Sequence, residues 1–548
     1  MSYQLNIHKS RRISHLGKML LSLTSIRGTN VPELLAFARF LFGLPGFLKR
    51  QISFDEAEAA VIHNASRREQ RLIDKLETAV FSYPRSPYLK LFDTAGLTKD
   101  EAIHLIRTRG VEKALKHFRS KGIYVTWDEF KGRRPVYRGE KTFRFHPEDF
   151  DNPIMRTSLS TSSSGSSGVP VRVGNDLEDN TQSCVDWAVL FRAWGLEESP
   201  LLFWTVDYAG MAIRYLKCSK IGKDFERWFI TTPVTRPGEK FRSRLVHGYT
   251  RFWAGYPKPE PAPLHACEPL LECLWEYLDN GRSPILNCTP SGALELSHRS
   301  LQAGRSLKGV YFLLGAEPLS RARRDGIIAS GATVIPTYGT SEGGWIGAQF
   351  PGAEHPDEVS VFRDAYAVIS SEEHQDVSGG QLSASPLLLT NLRPAAPKVL
   401  INTGIGDCGY LSDHCPSDYT ESLGFSLRLH HIRSYRKVTA LGATFALADL
   451  YFLLEEIMPK ICGGGSTDYQ LVESEENGAV RIILRVHPRV GGLDNDELRH
   501  VFTEQLGKLQ HFYGPMTTVL KESSSLLVKR EMPVTGPTGK LSPIITFT

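Results

Sequence analysis

From Glu56 to Val80, and again from Lys99 to Gly122, alanine, leucine and charged residues recur at helical spacing, and the pattern predicts helices there. Beyond Thr157 the texture changes. Short apolar runs at Leu201–Val206, Pro284–Leu286, Val310–Leu314 and Thr333–Ile335 alternate with helical stretches, among them Leu270–Leu278 and Ser320–Ala329. Such alternation predicts an α/β unit whose strands are buried on both faces. Gly331 opens a Gly-Ala-Thr return from helix to strand. Near Arg433 the pattern shifts again. Thr444–Met458 predicts an amphipathic helix with Leu447, Leu450, Leu454 and Met458 on one face, and Arg481–Val486 predicts a strand. The chain thus divides into a large unit, 1–432, whose first 150 residues are a mostly helical lead-in, and a small α+β unit, 433–548. No internal repeat is evident.

Composition narrows the class. At 548 residues the chain exceeds what one hydrophobic core usually supports. A net charge of +5, from 65 basic and 60 acidic residues, is too small an excess for a nucleic-acid footprint. Eight cysteines without a Cys-x-x-Cys spacing fit a reducing cytoplasm better than a disulfide framework. The first 32 residues hold no acidic side chain but carry Lys9, Arg11, Arg12, Lys18 and Arg27. The apolar stretch Leu34–Leu48, interrupted by Arg39 and Pro45, is too short and broken to span a bilayer. No small-residue cleavage site follows the Met19–Leu23 run, which argues against a secretory signal. Packing against the body of the protein is the expected role of this terminus, with contact to an anionic membrane surface as the alternative. Oligomeric state is not legible.

Four short segments carry candidate chemistry. Ser162–Pro170, read Ser-Ser-Ser-Gly-Ser-Ser-Gly-Val-Pro, lets successive amide N–H groups converge on an anion, with serine hydroxyls around them. It lacks the Walker spacing, and such runs also serve as linkers. Tyr338-Gly339-Thr340-Ser341-Glu342 follows an apolar strand; on its own it also reads as a strand-end turn with a helix-capping serine. Gly406-Asp407 precedes a basic segment, and Gly539-Lys540 lies near the end of the chain.

In this order the four segments resemble the adenylate-forming superfamily of acyl-CoA synthetases and related ligases. Gly315-Ala316-Glu317-Pro318-Leu319-Ser320 adds a likeness to its phenylacetate–CoA ligase-like branch. The resemblance runs from about residue 80 to the end. It implies a large α/β body of mixed sheets and helices and a small mobile α+β cap carrying a catalytic lysine. The activity it implies is ATP- and Mg2+-dependent activation of a small-molecule carboxylate, with pyrophosphate leaving. The acyl group then passes to the thiol of coenzyme A or of a phosphopantetheine-bearing acyl-carrier protein.

Residue by residue, the resemblance implies that Ser163, Ser164, Gly165, Ser166, Ser167 and Gly168 wrap the β- and γ-phosphates. Ser341 would face the α-phosphate, and Glu342 would hold magnesium through a hard carboxylate oxygen. Tyr338 would lie against the adenine, with Gly339, Thr340, Gly315, Ala316 and Glu317 completing the nucleotide set. Asp407 would accept both ribose hydroxyls, Arg433 would begin the hinge segment, and Lys540 would reach in during adenylation.

Departures from the family pattern keep other readings open. Val171 and Arg172 stand where a lysine usually follows the loop, and Ile405 replaces the threonine before Gly406. Ile432, Tyr435 and Thr439 replace the usual glycine, hinge residue and lysine, and the Lys540 loop is one residue longer. Transfer to an amine is therefore the alternative to a thiol, and a degenerate nucleotide-binding protein without turnover is a second one. Cys408, His414 and Cys415 lack a further ligand pair at zinc spacing. The aromatic stretch His247, Tyr249, Phe252, Trp253 and Tyr256 either borders an acyl pocket or packs in the core. Trp204, Tyr208 and Trp345 are further candidates to line a pocket for an aryl acid.

Overall fold

The computed structural model describes residues 31–155, 159–162, 172–206, 209–231, 237–371, 375–376, 383–434, 437–440, 443–465, 467–476, 479–509, 517, 520, 526–534 and 544–545. The phosphate-loop candidates Ser163–Gly168, as well as Tyr208, Tyr435 and Lys540, lie outside them.

Six short strands, Glu260–Pro261, Phe225–Ile230, Leu201–Thr205, Ile285–Cys288, Tyr311–Leu314 and Thr333–Thr340, lie side by side and all parallel. They are apolar on both faces (Leu201, Leu202, Phe203 and Trp204 are all buried), because helices cover both sides. After Thr340 the chain reverses through Ser341–Gly343, and the same sheet continues with antiparallel partners. These are Gly344–Ala348, Val359–Val361, Leu427–Ser434, Thr403–Asp413, Ser383–Asn391 and Tyr366–Ser370. The strand Thr333–Thr340 is therefore the seam between a parallel and an antiparallel half.

Helices at Phe54–Ser66, Arg68–Lys75, Lys99–Arg109 and Val111–Ser120 bear out the helical reading of the lead-in. Ser53 and Thr98 each cap a helix in a reciprocal box with the glutamate three positions on. The helix Val31–Lys49 buries Phe40, Leu41 and Leu44, and Lys220 Nζ donates to the Phe47 and Arg50 carbonyls at its end. The apolar stretch Leu34–Leu48 thus packs against the body, while the basic residues Lys9, Arg11, Arg12, Lys18 and Arg27 lie outside the described residues. No helix among the described residues is long and apolar enough to cross a membrane.

A separate core gathers residues between Phe445 and Ile544. Here a four-stranded sheet runs Leu526–Lys529, Ala479–Val486, Tyr469–Glu476 and Ile544–Ile545. The helix Asn495–Leu509 buries Leu498, Phe502 and Leu506 at a spacing of four, one stripe of an amphipathic helix. The expected helix from Thr444 begins only at Leu447. Ala443–Ala446 instead pairs with Lys437–Ala440 in a hairpin, so backbone pairing overrides the apolar pattern at that end.

Candidate functional site

Of the described site candidates, Gly315–Glu317, Tyr338–Glu342 and Asp407 lie at or beside the seam of the sheet. The strand Tyr311–Leu314 ends at Gly315, where a Cβ would stand 2.8 Å from Thr337 Oγ1 on the neighbouring strand, so the close approach requires glycine. Ala316 follows with φ 70°, a left-handed conformation that costs a non-glycine residue roughly 1–2 kcal/mol. Glu317 turns inward. Its Oε2 accepts from Ser291 Oγ at 2.6 Å and Ser291 N at 3.1 Å, and pairs with Arg323 at 3.2 Å. That carboxylate anchors the loop to the helices Pro290–Gln302 and Arg321–Ile328. What this loop presents outward is Ala316 and Pro318, both exposed.

Tyr338 lies on the adjacent strand, and its hydroxyl donates to Asp407 Oδ2 at 2.8 Å. Ser341, Glu342 and Gly343 form the hairpin turn, braced by the Gly343 N–H donating to Thr340 Oγ1 at 2.9 Å. No helix follows, so Ser341 caps none. Gly339 to Gly343 also carries a Gly-x-Ser-x-Gly spacing. In a serine hydrolase that elbow joins a strand to a helix; here it joins two antiparallel strands.

Glu342 sits at the tip of this hairpin and is nevertheless buried. Its Oε1 accepts from Lys131 Nζ at 2.7 Å, in an ion pair with 1% and 6% of the two side chains exposed. Lys131 in turn stands over the Trp127 ring, 4.3 Å from its centroid. A short chain of interactions places both residues. Thr126 caps the helix Trp127–Phe130 in a box with Glu129. Just before it, the Val125 N–H donates to the Asn402 carbonyl and Gly404 N–H donates to the Val125 carbonyl, so 125–131 docks onto the strand Thr403–Asp413. Asn402, with φ 46°, reaches back to the Leu115 and Ile123 carbonyls and ties that strand to the helical lead-in.

Gly406 continues the line. With φ 81°, it takes a conformation that other residues resist, and a Cβ there would meet the Trp127 ring at 3.3 Å. Asp407, only 6% exposed, follows directly. Tyr338, Asp407, Gly406, Trp127, Lys131 and Glu342 therefore form one contiguous chain of contacts. The Trp127 indole N–H is buried and finds no acceptor among the described residues.

Arg433 lies on Leu427–Ser434, opposite Cys408, and its Nη1 pairs with Asp357 Oδ2 at 3.1 Å. An acid thus holds its guanidinium. Cys408 is buried, and burial pushes its thiol up to about 11. His414 is exposed, and Cys408, His414 and Cys415 form no metal-holding group.

The aromatic candidates divide. Trp204 is enclosed, its indole donating to the Ala262 carbonyl, and belongs to the core. Tyr249 hydrogen-bonds the Leu41 carbonyl and packs with Phe40. Phe252 is 60% exposed. Trp345 packs against Trp187 and Phe362.

Lys131, Trp127 and Asp357 escaped the sequence reading. The capping box Thr126–Glu129 is a local signal for the helix, but nothing local marks a lysine whose partner is 211 positions away.

No family model matches the chain, and no curated protein matches it by sequence. Among solved structures it is similar to 2-hydroxyisobutyryl-CoA ligase in the postadenylation state in complex with R3-HIB-AMP. The identity is 14%, 91% of each chain is covered and the TM-score is 0.43. It is similar also to a malonyl-CoA ligase with methylmalonyl-CoA and AMP bound, at 12% identity, 69% of this chain and 72% of that one, TM-score 0.40. A third is an amide bond synthetase from Marinactinospora thermotolerans, at 13% identity, 91% of this chain and 98% of that one, TM-score 0.32. At scores this low the likeness stands as a likeness, and this chain's own residues carry the functional reading. By its ordered motifs and its α/β architecture, the chain resembles the adenylate-forming ligases.

Proposed function

We propose that the protein is an ATP-dependent carboxylate-activating ligase. It would form an acyl- or aryl-adenylate and pass the acyl group to a thiol, that of coenzyme A or of a carrier protein. The observation that carries this reading is the continuous line of contacts from Tyr338 through Asp407, Gly406, Trp127 and Lys131 to Glu342. It joins two of the four ordered motifs, one on each half of the sheet.

Adenylation needs groups that hold a nucleoside and groups that offset charge developing on phosphate oxygens. Asp407 supplies carboxylate oxygens for the ribose, and the hydrogen bond from Tyr338 orients it beside the ring that would lie against the adenine. Glu342 fits magnesium, an ion commonly held by one or two carboxylates together with substrate phosphates; bound there, the ion would supply charge neutralisation. Lys131 adds a fixed cation next to that carboxylate, supplying positive charge that the loop lacks at Val171. Lys540 would enter the site in the first half-reaction, and the small C-terminal unit would rotate for the second.

The test is carboxylate-dependent exchange of labelled pyrophosphate into ATP, over a panel of aryl and fatty acids, with Lys540→Ala as control. Exchange with one acid class, lost in the variant, supports the reading. ATP binding without exchange for any acid overturns it in favour of a nucleotide-binding protein. Release of AMP with coenzyme A but not with amines identifies the acceptor.

A further inference from the structure

Away from the seam, one face of the helical lead-in is polar where it turns toward the body of the protein. Glu56, Ala60, Asn64, Arg67, Arg71 and Asp74 follow one another at steps of three or four residues, a single stripe along Phe54–Ser66 and Arg68–Lys75. Ala57 and Val61, one position further round, are buried in the core. The stripe itself does not close on the body. It forms one wall of a groove of about 470 Å3, open to solvent. Thr181, Gln182, Val185 and Pro394 form the facing wall. Gln182 Oε1 accepts from the Ala395 N–H at 3.2 Å, which holds the helix Leu177–Ser183 to the loop at Pro394. The groove is thus preformed, and its volume is that of a small-ligand site.

Other arginines of this region are matched to acids. Arg68 pairs with Glu112, and Arg192 pairs with Asp55 and Glu58. Arg67 and Arg71, on the groove side, make no ion pair with a carboxylate among the described residues. Arg71 is half-buried, and its Nη1 donates to the Asp364 carbonyl at 2.6 Å. Burial pushes its guanidinium down to about 10. The carboxylates on its inner side are engaged elsewhere: Asp186 and Asp364 lie 2.5 and 3.8 Å from Arg393. The two acids of the stripe have partners too. Glu56 Oε2 accepts from the Ser53 N–H at 2.8 Å, and Asp74 Oδ1 accepts from Gln70 Nε2 at 2.7 Å. Arg50, at the Glu56 end, adds a third guanidinium to the lining.

We propose that this groove is a binding site for a phosphate-bearing small molecule, gripped by Asn64, Arg67 and Arg71. Side chains one helical turn apart are neighbours on the surface, so both guanidiniums reach one group. A planar guanidinium matches two phosphate oxygens at once. A tetrahedral dianion between Arg67 and Arg71 would supply the countercharge that neither receives from a contacting carboxylate. Asn64, on the same face, offers an amide donor. Thr181 Oγ1 already donates to the Leu177 carbonyl and lines the groove as an acceptor for a ligand hydroxyl. Because Arg71 also holds the Asp364 carbonyl, an occupied groove would brace the turn before the strand Tyr366–Ser370. No lining residue belongs to the set from Tyr338 to Glu342, so the site stands independently of the adenylation reading.

The test uses the full chain in magnesium-free buffer, with inorganic phosphate and pyrophosphate as probes and citrate as a carboxylate of comparable charge. Calorimetric titration and the melting temperature read binding. The expected result is saturable binding of both phosphates, a melting temperature that rises with them, and weaker binding of citrate. Arg67→Gln and Arg71→Gln should each lower the affinity at least about tenfold and remove the melting shift. Should Arg71→Gln fail to fold for want of its bond to Asp364, the exposed Arg67→Gln still decides. No saturable binding below about 10 mM, or binding unchanged in Arg67→Gln, overturns the site. Binding that falls in Asp407→Ala but not in Arg67→Gln places the anion at the seam and likewise overturns the groove. Citrate bound as tightly as pyrophosphate overturns the phosphate class. None of these outcomes bears on carboxylate-dependent exchange.

Discussion

Lys131 lays its ammonium 2.7 Å from the Glu342 carboxylate, and both side chains are almost wholly buried. A pair this dry has lost the hydration of both ions, so each depends on the other. Removing either side chain takes from the other its buried charged partner. Lys131→Met and Glu342→Gln should each destabilise the protein by about 3–5 kcal/mol, with the double variant recovering much of that loss. A double-mutant cycle by thermal or urea unfolding measures the coupling. Additive losses would mean that the two residues do not act as a pair.

Tyr338 and Asp407 test the nucleotide reading. Tyr338→Phe removes a hydrogen bond to a carboxylate, typically worth about 1.5–3 kcal/mol. ATP affinity should fall roughly tenfold or more if the bond orients the ribose ligand. Asp407→Ala should cost more still. Calorimetric titration with ATP reads both, and unaltered affinity in Asp407→Ala would remove the ribose role.

Gly406→Ala combines a strained φ with a methyl pressed on Trp127. The backbone term alone is about 1–2 kcal/mol. We expect a lower melting temperature and weakened ATP binding. An equivalent change at Gly139, where φ is 58° and nothing stands within 4 Å of the Cβ, should affect stability but not binding.

Asp364 gives a pH dependence. It is fully buried, both its oxygens lack hydrogen-bond partners, and burial raises its carboxyl to about 7 despite Arg393 at 3.8 Å. The folded state thus binds a proton that the unfolded state releases near pH 3.9, so this group's contribution to stability falls as pH rises from about 4 to 7. Asp364→Asn should flatten that decline, leaving the variant relatively more stable at pH 8 than at pH 5. Melting temperatures at the two pH values check it; parallel curves would assign the slope elsewhere.

Much of the α/β body was legible because its strands are fully buried apolar runs. Leu201–Thr205 and Tyr311–Leu314 fall within a residue of where their apolar residues place them. The antiparallel half was harder to read. Thr403–Asp413 is polar and glycine-rich, and its identity as a strand comes from partners on both sides. The end of the predicted helix at Thr444 was lost to a hairpin for the same reason: tertiary pairing outweighed local periodicity. In the site, Tyr338, Glu342 and Asp407 were visible because their chemistry comes in short motifs. Lys131 was not, since its place depends on a docking event with the strand at residue 403. The groove beside Arg67 and Arg71 was missed because a polar stripe at helical spacing reads as an ordinary solvated face.

The docking of 125–131 onto 402–404 also has a consequence for biosynthesis. A ribosome releases Trp127 and Lys131 long before it makes Asn402, the residue that accepts the Val125 N–H. Until then the lead-in has no edge on which to lay this segment, and an apolar indole and a lysine destined for burial stay solvated. Closure over so long a stretch of chain is slow relative to local helix formation. A nascent chain arrested anywhere before residue 402 would therefore display helices but not the contacts that join Trp127 and Lys131 to Gly406 and Glu342.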